Sequence, residues 1–187
     1  MDMKVERKSS HASGGGGHGG MGGSYGRFIA MIVTGMAVMY AITYLNTYAP
    51  AHVRFSEMRL YMNLIMGGAM ALVMLGFMLN MYRNAARNWA IVIGGLFMMA
   101  LGLFLARSQT LVDDASWMKS MIPHHSIAIL TSERAEFVDA RVQALAAEII
   151  EAQEREIAEM EWLLDDIAAN GPALTDADAT ARAVPDF

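Results

Sequence analysis

The chain has 187 residues, is 55% hydrophobic and carries a formal net charge of −5, which leaves no basic footprint for nucleic acid. It has no cysteine, which excludes disulfides, thiolate metal sites and cysteine nucleophiles, whereas methionine is heavily used, with 18 residues. A mean hydropathy of +0.30 is high for a water-soluble domain of this length, and the apolar excess falls between residues 28 and 106.

Residues 1–27 are of low complexity, a glycine run with His11, His18 and Met21 scattered through it. Such a stretch buries too little apolar surface to offset its ordering entropy, so it is expected to be a disordered tail. Its imidazoles and thioether could capture metal weakly; a flexible tail with incidental histidines is the simpler expectation. No cleavable signal peptide is expected, because the first apolar run starts late and is too long.

Three apolar runs follow, at 28–49, 58–81 and 89–106. Each is long enough to cross about 30 Å of hydrocarbon as a helix, so the expected partner of residues 28–106 is a lipid bilayer. Arg59 stands near the start of the second run, where it can snorkel. Tyr44, Tyr48, Tyr61, Tyr82 and Trp89 lie near run ends, as interfacial aromatics do. Arg83 and Arg87 in the second connection, with Arg27 before the first run and Lys4, Arg7 and Lys8 further off, modestly outweigh Arg54, Arg59 and Arg107 on the other side. The positive-inside rule then puts the N-terminus in the cytoplasm and everything after Arg107 outside, in the periplasm if the membrane is a bacterial inner membrane.

In the second run Met58, Met62, Met66, Met70, Met74 and Met78 recur every fourth residue. At about 3.6 residues per turn such a row winds around the helix. A thioether ladder carrying Cu(I) is one reading. Packing or lipid-facing methionine is the other, favoured because no polar or charged group accompanies the row at mid-membrane. Gly67-Gly68 with Ala71, and Gly94-Gly95, offer small surfaces for close helix packing.

After a linker at 107–112, Asp113-Asp114 can cap a helix reaching about Phe137, with a kink or restart expected at Pro123. A turn at Val138-Asp139 leads to a second helix that ends at Asn170-Gly171-Pro172. The expected fold is therefore all-α: three transmembrane helices, then an extramembrane antiparallel helical hairpin at 113–169, then a flexible tail at 170–187.

The hairpin carries the chemistry. Met118, Met121 and His125 stand at i, i+3 and i+7, and His124 lies beside Met121. Thioether sulfur and imidazole nitrogen suit soft metals, Cu(I) above all. The second helix has an a/d-like seam of Val142, Ala146, Ile149, Gln153, Glu156, Met160, Leu163 and Ile167, with two polar residues in its middle. Counting outward from the turn puts those polar residues level with the histidines and opposes Met118 to Met160. The plainer alternative is a His–Glu–Gln hydrogen-bond network that fixes register.

The same stretch resembles domain-of-unknown-function family 305. The resemblance covers about Asp114 to Leu163 and rests on Asp114-x-x-Trp117, Met121-Ile122-Pro123-His124-His125, Ala128, Leu145-Ala146, Ile149-Ile150, Gln153, Glu156-Ile157, Met160 and Trp162-Leu163. It implies a ferritin-like helical bundle, of which this hairpin would be half, and copper binding, as in some members. Carried over by position, it implies His124, His125, Met118, Met121 and Met160 as ligands. Glu156 joins them as a candidate, with Gln153 and Asp114 as outer orienters. Ser126 stands where the family usually has Gln, and Thr131 where it usually has Met.

Two functions follow as expectations. One is a non-enzymatic, membrane-anchored periplasmic protein that buffers or hands over copper. The other is an accessory subunit of a larger membrane complex. A di-metal oxidase would need more carboxylates and paired Glu-x-x-His motifs than the chain has. A row of Ile150, Ile157 and Leu164 beside the seam asks for a further apolar partner, which a homodimer or a membrane complex would supply.

Overall fold

The computed structural model describes residues 22–187, so the metal-capturing potential of His11, His18 and Met21 lies outside the described residues. The helices are α1 (Gly22–Ile42), α2 (Glu57–Phe77), α3 (Ala85–Ser108), α4 (Asp114–Arg134), α5 (Ala140–Asn170) and α6 (Asp176–Ala181), with a 3-10 turn at Pro50–His52. Their starts follow local chemistry. The side chains of Ser56, Asn84, Asp113 and Asp139 each accept a first-turn amide. Gly171, at φ 76°, ends α5 in the left-handed region that an L side chain resists.

Three helices are long and apolar enough to cross a membrane: Tyr25–Ile42, Glu57–Phe77 and Ala85–Ser108. The first stops short of its apolar run. Beyond Ile42 the chain turns, and the Arg59 guanidinium holds the turn by donating to the Thr43 carbonyl and lying 4.3 Å over the Tyr44 ring. Residues 43–56 thus form a loop at the hairpin end of the spans.

Adjacent glycines serve different neighbours. A Cβ at Gly67 would strike Met36 of α1, whereas one at Gly68 would meet the Gly95 carbonyl of α3 at 2.5 Å. Gly102 performs the same service further along α3, where a Cβ would lie 2.7 Å from the Tyr61 carbonyl, while Gly94 faces open space.

The methionine row winds as its period requires. Met58, Met62 and Met66 are exposed, and Met70, Met74 and Met78 pack on a core of Phe28, Ile32, Ala71, Leu75 and Tyr82. Asn63, a polar residue among them, is buried and donates from Nδ2 to the Met36 carbonyl at 3.1 Å.

In the hairpin, α4 runs unbroken through Pro123 instead of restarting there. An internal proline costs about 3 kcal/mol, and burial of Pro123 and its neighbour Ile122, both fully covered, helps to offset it. The core joins Met118, Ile122 and Ile129 of α4 to Ile157 and Met160 of α5, with Ile150, Leu163, Leu164 and Ile167 around it. The row at Ile150, Ile157 and Leu164 is therefore absorbed within the hairpin, Ile157 being only 4% exposed. Val142, at the turn end of the seam, is exposed instead. Just after α6, Arg182 Nη1 lies 2.6 Å from Asp166 Oδ2 on α5.

Candidate functional site

Successive helical residues point about 100° apart, so adjacent histidines cannot share a face. Residues 118, 122, 125 and 129 fall on one stripe and meet α5. Residues 121 and 124 fall to one side of it, toward α2. The candidate ligands are therefore divided between two environments.

On the α5 side, Met118 and Met160 come together as expected, but inside the apolar core, at 4% and 5% exposure. His125 reaches Glu156, with Nδ1 3.1 Å from Oε2. Gln153 Nε2 lies 3.4 Å from the same oxygen. The angles at Nδ1 fall outside those of a hydrogen bond, and this buried nitrogen has no other hydrogen-bond partner. Facing a carboxylate, Nδ1 is the nitrogen to which the proton is assigned, which leaves the lone pair on Nε2. Carboxylates stand behind metal-bound imidazoles in the same way. Burial pushes the His125 pKa below its usual 6.5, the Glu156 charge pulls it partly back, and His124 adds a smaller push downward.

On the other side, Met121 and His124 line a cavity of about 330 Å³ between α4 and the start of α2, together with Met58, Ser120 and Gln109. Met121 borders both environments, since it also packs against the hairpin core. The two imidazole rings are 6.2 Å apart between centroids and tilted by 59°. Asp114, at the start of α4, lines a different groove with Trp117, Asp166 and Arg182. Among the described residues no three His, Asp or Glu side chains gather into a group able to hold a metal ion.

Three contacts that sequence reasoning missed fix the hairpin to the loop before α2 and to the first turn of α2. Ser126, 0% exposed, accepts from the Tyr48 amide at 2.8 Å and lies 3.0 Å from His52 Nδ1. Glu57, in the first turn of α2, accepts from Ser116 Oγ at 3.0 Å and from Ser120 Oγ at 3.4 Å. Arg54 pairs with Glu161 at 3.2 Å. The one available signal was Ser126, a small residue where the resemblance expects Gln.

Residues 107–183 match the model of the family described as "Domain of unknown function (DUF305)". The chain is also similar to a protein of Acanthamoeba polyphaga mimivirus named uncharacterized protein L153. The two are 28% identical over 144 residues, which cover 73% of this chain and 93% of that protein. No solved structure matches significantly.

Proposed function

We propose that this is a membrane-anchored copper-binding protein whose C-terminal hairpin takes up Cu(I) outside the cytoplasm and passes it on. One observation carries the reading: Met121 and His124, one helical turn apart, present a thioether and an imidazole to the same cavity. These donors suit Cu(I) and need no thiolate, an advantage where cysteine would oxidise. His125 lies on the α5 side beside Glu156, outside that cavity. Met118 and Met160 serve the core that holds this turn of α4 in place.

His124 is exposed and Met121 half-buried, so a bound ion would stay accessible to an acceptor, which favours exchange over storage. When bound, the ion would supply a transferable soft charge; the protein's part is to offer neutral donors in a fixed arrangement. Titrating the full chain in detergent with Cu(I) against a competing chelator tests the reading. About one ion per chain is expected in the wild type, and loss of stoichiometric binding in the His124→Ala/His125→Ala double variant. Equal binding by both proteins would make these residues structural.

A specific observation favours a second reading, an accessory subunit of a membrane complex. The Gln153–Glu156 hydrogen bond, the nearby His125 and the Ser126 contact would hold the hairpin in register and in place without any metal.

A further inference from the structure

We infer that Met58, the first methionine of the row in α2, is a ligand of the same ion, so that the soft-metal site is shared between the membrane-spanning part and the hairpin. The inference rests on the proposed function and adds a donor from outside the region matched by the family model, which begins at residue 107.

The cavity is the starting point. Its walls come from both units: Met58 from α2, Met121 and His124 from α4. Two thioethers and one imidazole form a low-charge, soft donor set, which selects a monovalent soft ion over Zn(II) or Mg(II). Met58 is 38% exposed and is not among the side chains of the membrane core, unlike Met70, Met74 and Met78, which pack there. Its thioether therefore lies outside that core.

The charges around the cavity are compatible with a cation. Arg59 also lines it, but its guanidinium is engaged by the Thr43 carbonyl and the Tyr44 ring, neither of which lines the cavity. Glu57 stands next to Met58 in sequence, and its carboxylate binds Ser120, a wall residue. Its negative charge offsets that of a bound ion. The contacts of Ser126, Glu57 and Arg54 keep the two walls together in the absence of metal.

Ag(I), a redox-inert substitute for Cu(I), is the probe. The full chain in detergent micelles is titrated as wild type, Met58→Leu, Met62→Leu and His124→Ala/His125→Ala. Leucine matches methionine in size, and position 58 is partly open, so the fold is preserved. Met58→Leu is expected to weaken Ag(I) at least about tenfold, a loss no smaller than those seen when outer partners of metal ligands are removed. Met62→Leu, one turn further along the row and outside the cavity, should bind as wild type. Unchanged affinity in Met58→Leu overturns the inference, and leaves the proposed function standing if the double histidine variant loses the ion. No binding by the wild type overturns both.

Discussion

The Tyr48 amide donates to Ser126 Oγ at 2.8 Å, which ties the loop between the first two spans to the helix turn just after the histidine pair. Because Ser126 is fully buried, a substitution here leaves a stranded donor or an overfilled site. Ser126→Ala should cost roughly 1–3 kcal/mol through the unsatisfied amide. Ser126→Gln should cost about as much or more by overpacking. Hydrogen exchange at Tyr48 is the direct readout: faster exchange in both variants is expected, and wild-type protection in Ser126→Ala would show that the contact holds nothing.

The pH response of His125 in the metal-free protein follows from its surroundings. Burial lowers its pKa from the usual 6.5, while the charge of Glu156 raises it. With the folded value below the unfolded one, the unfolded chain binds more protons between the two. The contribution to hairpin stability is therefore complete above about pH 6.5 and is lost as pH falls through the lower folded value. Glu156→Gln removes the upward pull, so His125 should titrate at a still lower pH. An NMR titration of the labelled imidazole checks this, and a higher pKa in the variant would contradict the pairing.

Met118 and Met160 are assigned to packing, which separates them from Met121. Met118→Leu and Met160→Leu should cost less than about 1.5 kcal/mol and retain Ag(I) binding. Either alanine variant should cost about 2–5 kcal/mol in thermal unfolding of the hairpin. Loss of ion binding in a leucine variant that keeps its stability would return these sulfurs to the ligand set.

Much of this was legible in the sequence. Apolar run length marked three helices, and Asp113, Asp139 and Gly171 marked the hairpin's ends, because these features act locally. The opposition of Met118 and Met160 followed from counting along an antiparallel pair. What could not be read was how the ligands divide: the spacing of Met121 and His124 shows that they share a face, but not that α2 lies across from it. The contacts of Ser126 with Tyr48 and of Glu57 with Ser116 join segments far apart in the chain, and no periodicity reports them. The apolar stripe of α5 is wider than a strict heptad seam, so Ile157 joins the hairpin core and Ile150 and Leu164 pack against it.

The modest Lys/Arg bias of the flanks and connections leads us to expect an N-terminus in the cytoplasm. A reporter fused after Phe187, active only outside the cytoplasm, should be active. Silence from that fusion, with activity from a cytoplasmic reporter at the same place, would reverse the orientation and remove the reason for a thiolate-free site.

X-ray absorption at the copper edge of the full chain loaded with Cu(I) tests the central claim most directly, because sulfur and nitrogen scatter distinguishably. The account predicts a mixed first shell in which thioether sulfur accompanies imidazole nitrogen, with the nitrogen signal lost in His124→Ala/His125→Ala. A shell of nitrogen and oxygen alone, or one unchanged in the double variant, would contradict it.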